Sequence, residues 1–312
     1  MPTHQAAACS GFQAFLNSGS QALDNTSFTR MLRPWDVVQV DSRSSVFATS
    51  QFQAGSSTDY HTVVELSSTS GTRLSNFGSS GTGDGEFNNP QGIDTDSTDN
   101  IYVVDNGNSR IQKFNGGGAF QLKWGSAGTC DGELSNPHGL EVNSTDQIYV
   151  VDSDNSRIQQ FDATGGYLAK FGTSGTGNSQ FDSPRDIAFD SSGNIYVTDT
   201  DNFRVQKFNS AHTFQLAFGT TTTGNGGFGT LGPYGVAVDP SDRIYVFTPN
   251  NRLQRFNATG GFIDEWGTTE ISPQSNGLHI DSSGNVYMAQ TNAATVARSN
   301  STGTLDWRFR ST

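Results

Sequence analysis

Apolar residues fall in short runs along most of this chain, and Gly, Asn, Asp or Ser bounds each run. Between Asn89 and Gly125 the runs are Pro90-Gln-Gly-Ile93, Ile101-Tyr-Val-Val104, Arg110-Ile-Gln-Lys-Phe114 and Phe120-Gln-Leu-Lys-Trp124. Runs this short, with turn formers between them, predict β-strands. No window carries apolar positions at helical spacing, and no apolar stretch reaches the roughly 18 residues of a membrane-spanning helix.

The set of four runs returns. Pro90, Pro137, Pro184 and Pro233 open successive copies, a divergent copy opens at Pro34, and a last one begins at Asn276-Gly-Leu-His-Ile280 without the proline. A period of roughly 40–50 residues holding four short strands predicts a propeller blade, because a lone sheet of this kind cannot bury both faces and must stack radially on neighbours. The expected fold is therefore all-β: a six-bladed β-propeller of four-stranded antiparallel blades. The blades are expected at about 34–78, 90–125, 137–172, 184–219, 233–267 and 276–309, within a domain of residues 34–312. Residues 1–33 do not match the repeat and read as an N-terminal arm or accessory strand. The nearly continuous runs Ile101-Tyr-Val-Val104, Ile148-Tyr-Val-Val151, Ile195-Tyr-Val-Thr198 and Ile244-Tyr-Val-Phe247 suit strands covered on both faces. Phe87, Leu134, Phe181 and Phe228 in the connectors are expected to plug the spaces between sheets.

The recurring Pro-x-Gly-Ile, Asn-Ile-Tyr-Val-x-Asp, Asn-x-Arg-Ile-Gln-x-Phe and Phe-Gly elements resemble the NHL repeat over essentially all of residues 34–309. The resemblance implies a six-bladed propeller and says little about activity, since propellers of this kind include scaffolds, RNA-binding modules, receptors and a few enzymes.

Composition narrows the partners. Thirty acidic against 18 basic side chains give a formal charge of −12, which repels a phosphate backbone, and no basic run offsets it, so nucleic acid is not an expected partner. Cys9 and Cys130 are too few for a disulfide framework or a Cys-built zinc site, and two free thiols are expected. The first residues lack the basic and apolar regions of a secretory signal. The acidic, Lys-poor, Ser/Thr-rich composition nevertheless favours an extracellular, cell-surface or particle-associated protein.

The copies form an internal alignment. Asp105, Asp152 and Asp199, with Arg110, Arg157, Arg204 and Arg252, recur at fixed positions and read as structural: the carboxylate accepts N–H groups of a turn and the guanidinium bridges turns. The sixth copy has Gln290 and Thr295 there, and the fifth has Thr248 in place of the Asp. The residue after the opening proline instead differs in every copy: Trp35, Gln91, His138, Arg185, Tyr234 and, by alignment, Asn276. Beginning the innermost strands, these six are expected to ring one mouth of the central channel and to bind a polar ligand able to stack and hydrogen-bond. The bland alternative is that they merely fill the entrance.

No catalytic residue is assigned and no cofactor is expected. The leading reading is a non-enzymatic binding or scaffold propeller with a protein or glycan partner, either by itself or as a structural component of a homo-oligomer or larger assembly. The alternative is a metal-dependent (Ca or Zn) hydrolase or lyase. It draws on Pro137-His-Gly-Leu140, which resembles segments of the zinc-bearing amidating lyases, and on the acidic channels of calcium-dependent six-bladed lactonases and esterases. Its weak candidate ligands are Asp94, Glu141, His138 and His279, of which Asp94 and Glu141 occupy equivalent places in adjacent copies.

Overall fold

Each repeat folds into one antiparallel sheet whose strands lie in chain order from the channel outwards. In blade 2 these strands are Pro90–Thr95, Ile101–Asp105, Arg110–Phe114 and Phe120–Trp124. In blade 3 they are Pro137–Val142, Ile148–Asp152, Arg157–Phe161 and Tyr167–Phe171. The computed structural model describes residues 15–16, 34–51, 61–249, 252–266, 275–290 and 295–310, with the backbone alone at 15, 16, 275, 276 and 310. The innermost strands of blades 1, 4, 5 and 6 are Pro34–Val40, Pro184–Phe189, Gly235–Val238 and Ser275–Ile280. Each touches the innermost strands of both neighbours, blade 6 against blade 1 included, so the ring is closed.

Closure needs no strand from the N-terminus. Blade 6 takes its outer strand, Leu305–Arg310, from its own repeat. Phe15–Leu16 pairs instead with Leu122 and Lys123 on the outer edge of blade 2, covering part of an otherwise open strand edge. The remainder of the expected N-terminal arm lies outside the described residues.

Six apolar clusters sit one between each pair of adjacent sheets. Phe87, Leu134, Phe181 and Phe228 are fully buried in the clusters joining blades 1–2, 2–3, 3–4 and 4–5. The cluster that closes the ring joins Val37, Val46 and Leu66 of blade 1 to Tyr287, Ala289 and Val296 of blade 6. Tyrosine of the Ile-Tyr-Val run is buried with its hydroxyl satisfied: Tyr102, Tyr196, Tyr245 and Tyr287 donate to Asp96, Asp190, Asp239 and Asp281 just past the preceding inner strand. A buried tyrosine needs such a partner, and the repeat supplies it at a fixed offset.

The repeated Asp and Arg hold the blade connectors. Asp152 accepts the Ser135 N–H at 2.7 Å and the Arg157 Nε–H at 2.6 Å, while Arg157 donates to the carbonyls of Thr129, Cys130 and Glu133. Asp105 with Arg110 and Asp199 with Arg204 repeat this arrangement. The backbone N–H comes from the connector preceding the blade; the turn that follows contributes a side chain, Asn155 in blade 3. In blade 5, where Thr248 stands, Arg252 pairs with Glu265 and keeps the connector carbonyls of Thr223 and Gly224.

One expectation is overturned. Cys130 is disulfide-bonded, and no described cysteine is free. The chain's other cysteine, Cys9, lies outside the described residues. The expectation of free thiols rested on sequence separation, which says nothing about proximity once a chain is wound into a ring.

Candidate functional site

The innermost strands start irregularly. In blades 1 to 4 the ladder with the second strand slips between the opening proline and the residue three places on, as between Pro34 and Val37 or Pro184 and Ile187. Such a bulge breaks the strict alternation of faces. Two consecutive residues then turn towards the channel mouth where a regular strand would present one. A recess results, lined by Trp35 and Asp36, Gly92, His138 and Gly139, Arg185 and Asp186, and Tyr234.

Four of the six residues expected at the mouth therefore line one recess. The Arg185 guanidinium lies over the Tyr234 ring, 4.1 Å from its centroid, and the Trp35 and His138 rings are 5.9 Å apart. Gln91 is almost wholly buried instead, and its Oε1 has no hydrogen-bond partner among the described residues. The Asn276 side chain lies outside the described atoms.

Asp36 and Asp186 are the residues that alternation hides. They occupy the third position of blades 1 and 4, which face each other across a ring of six, where the other blades carry Gly92, Gly139, Gly235 and Gly277. Those glycines are required by crowding: a Cβ on Gly139 would come within 2.7 Å of the Arg185 carbonyl oxygen, and one on Gly92 within 2.6 Å of the His138 carbonyl oxygen. Each Asp staples its blade to the next. Asp36 accepts the N–H of Val37 and, across the junction, of Ile93; Asp186 accepts that of Val236 in the same way. Their own N–H groups donate to Thr49 and Thr198 of the second strand. The sequence does carry a signal for this pair: Thr stands at that second-strand position in blades 1 and 4, against Val104, Val151, Phe247 and Ala289 elsewhere.

Two residues further along the inner strands, on the channel side, are Asp94 and Glu141. Asp94 accepts the Val142 N–H at 2.7 Å, a third staple between blades. Burial, opposed by that backbone bond, pushes Asp94 up to about 7, and Asp36 likewise to about 7. Burial and the negative fields of Asp94, Asp186 and Asp36 hold Glu141 well above the usual carboxylate range. Burial and the field of Asp36 do the same to Asp186. His138 and His279 are driven the other way by burial, to about 3 and about 4, so both imidazoles are neutral near pH 7.

A carboxyl whose folded pKa is raised binds its proton more tightly in the native state. Its contribution is complete below the unfolded value, here 4.5 for Glu141, and is lost as pH rises towards and past the folded value. Glu141→Gln removes the burdensome charge without shortening the side chain. Its denaturation midpoint should exceed that of the parent at pH 8, and the two should converge near pH 4. Urea titrations across that range check it; a variant less stable at pH 8 would mean that an ionised Glu141 is held by a favourable partner.

The metal candidates are not gathered into a metal-binding group. Asp94, Glu141, His138 and His279 sit on blades 2, 3, 3 and 6, and among the described residues no three His, Cys, Asp or Glu side chains are placed to hold one ion. The zinc centre implied by the amidating-lyase resemblance does not fit these positions, since a catalytic zinc needs about three protein ligands at one locus.

Six four-stranded blades closed around a channel, with a mixed-charge aromatic recess at one mouth, define a six-bladed β-propeller. The NHL repeat model matches residues 87–114, 134–161 and 181–208, each running from a connector plug to the end of a third strand, so the propeller carries NHL repeats. No curated protein matches the chain. Among solved structures, a catalytically inactive virginiamycin B lyase from Staphylococcus aureus with quinupristin superposes with a TM-score of 0.61 at 13% identity, covering 96% of this chain and 89% of that one. The selenomethionine-substituted form of that lyase gives 0.60 at 13% identity with the same coverage. A streptogramin B lyase gives 0.57 at 12% identity, over 89% of this chain and 95% of that one. At such identities the likeness is one of fold.

Proposed function

We propose that this protein is a non-enzymatic recognition propeller that binds a segment of a protein partner at the channel mouth. One observation carries the reading: the position that varies from blade to blade while its neighbours repeat brings Trp35, His138, Arg185 and Tyr234 to a single recess. Structural duties shared by all blades produce repetition, and a recess built from differing side chains departs from that rule. Charged groups of both signs suit a peptide better than a neutral sugar, whose hydroxyl groups do not call for them. The disulfide at Cys130 supports a working place outside a reducing cytosol.

The lyase or hydrolase reading draws on the same channel and on the fold shared with the streptogramin lyases. The two readings part on substitution and metal content. Peptide and glycan arrays probed with the purified protein should show peptide binding that Arg185→Ala combined with Tyr234→Ala weakens at least about tenfold, as removal of a stacked cation and its aromatic platform does at binding hot spots. Binding indifferent to both substitutions would sink the mouth as the site. Glycan binding lost in the variant would move the partner class to sugars, and a stoichiometric metal in protein purified without chelator would favour the enzyme.

A further inference from the structure

The recess carries polar groups that the fold leaves unused. His138 is nine-tenths buried on its wall, and neither ring nitrogen has a hydrogen-bond partner among the described residues. Its imidazole is neutral near pH 7, so one nitrogen is an acceptor. Arg185 Nε is enclosed without an acceptor among the described residues. Asp36 and Asp186 are tied through N–H groups of their own and the next blade, yet a carboxylate has about four lone-pair sites, so acceptor capacity remains on both. Buried polar groups are ordinarily paired, and unpaired ones grouped around an opening point to a ligand.

The signs of these groups select the ligand. Asp36 and Asp186 face the recess from opposed blades, and Asp94 and Glu141 lie further down the innermost strands of blades 2 and 3, where the fields of Asp94, Asp186 and Asp36 all reach Glu141. An anion is repelled from this space. A cation with several N–H donors meets two carboxyls and a neutral imidazole. The two carboxyls stand on opposed blades, which suits an ammonium whose three donors point in different directions better than a planar guanidinium, whose parallel N–H groups match one carboxylate.

Resting on the reading of the mouth as a recognition site, we propose that the recess takes the side-chain ammonium of a lysine on a protein partner. Asp36 and Asp186 flank the ammonium, and His138 accepts one of its hydrogen bonds. Trp35 and Tyr234 lie along the methylene stem, and Arg185 Nε donates to a backbone carbonyl of the same partner loop. Of the titratable and charged groups, Asp36, Asp186, neutral His138 and the cationic Arg185 line the recess, and Asp94 and Glu141 lie further down the innermost strands of blades 2 and 3. Binding expels protons that the carboxyls share, so affinity rises between pH 6 and pH 8 while the lysine stays charged.

The test titrates the whole protein with a short capped peptide containing one lysine, with its Nε-acetyl-lysine twin, and with an arginine version, by calorimetry at pH 6 and pH 8. Acetylation should weaken binding at least about tenfold, because it removes the charge and leaves the facing carboxyls unpaired. The arginine peptide should bind more weakly than lysine, and the lysine peptide should bind more tightly at pH 8 with net proton release. Equal affinity for the lysine peptide and its acetylated twin, or binding of neither, overturns the lysine assignment. If both bind equally and Arg185→Ala with Tyr234→Ala still abolishes binding, the mouth survives as a site and the lysine assignment alone falls. If that double variant leaves peptide binding unchanged, both fall. A neutral oligosaccharide that displaces the lysine peptide from the mouth with comparable affinity also overturns the lysine assignment. Asp186→Asn provides a further arm, expected to weaken the lysine peptide more than the acetylated one. Since Asp186 also holds the Val236 N–H, the peptide pair serves as the primary readout.

Discussion

Arg157→Ala should cost about 3–5 kcal/mol in chemical denaturation, the loss expected when one member of a buried ion pair is removed. Asp152 is inaccessible to solvent and retains only the Ser135 N–H, Asn155 and Gln159 once the guanidinium is gone. At the same time the carbonyls of Thr129, Cys130 and Glu133 lose their donor, so the connector between blades 2 and 3 loses its anchor. Blade 5 provides the control. Arg252 makes comparable bonds to connector carbonyls, but its carboxylate partner Glu265 has a 42% exposed side chain, and the buried Asp is replaced by Thr248. Arg252→Ala should therefore cost less than half as much, since a carboxylate in contact with water is not stranded when its partner leaves. Equal losses at the two sites would mean that the carbonyl bonds, and not the stranded carboxylate, carry the effect.

Phe181→Ala should destabilise by a similar about 3–5 kcal/mol, through loss of transfer energy and the cavity left behind. The ring is fully buried between blades 3 and 4, with its centroid 5.8 Å from that of Phe208 and 6.4 Å from that of Phe171. The connector cannot follow the missing ring inwards, because Gln180 and Phe181 are tied to Thr173 and Ser174 by parallel pairing. Leu168→Ala is the contrast: this side chain is 45% exposed on the outer strand of blade 3, and its loss should be close to neutral. Denaturant midpoints of the two variants decide the matter. A loss below about 1 kcal/mol at Phe181 would show that the connector relaxes into the gap.

The fold was legible because its causes are local and repeated. Ile148-Tyr-Val-Val151 is buried along its whole length, as a run apolar on both faces requires, and the Asp–Arg positions that recur in the sequence make the same bonds in three blades. The recess was legible in part. Reading the residue after each opening proline as channel-facing found Trp35, His138, Arg185 and Tyr234. It missed Asp36 and Asp186, because strict alternation places a third residue on the opposite face from the second, and the bulge at the strand start breaks that alternation. Asp94 and Glu141 were visible as inward carboxylates, but not that Asp94 is stapled to the Val142 N–H while Glu141 has no such donor.

What the amino-acid order determined by itself is the number of blades, their strands, their plugs and their connector clamps. Those follow from periodicity, burial and the need to satisfy each polar group, all of which recur every few tens of residues. Tertiary structure decided what no single repeat contains: that blades 1 and 4 set two carboxyls across one opening, that Phe15–Leu16 lies on blade 2 and not at the closure, and that Cys130 is bonded. Each depends on which distant segments become neighbours when six similar sheets close into a ring, and the spacing of residues within a repeat carries no information about that.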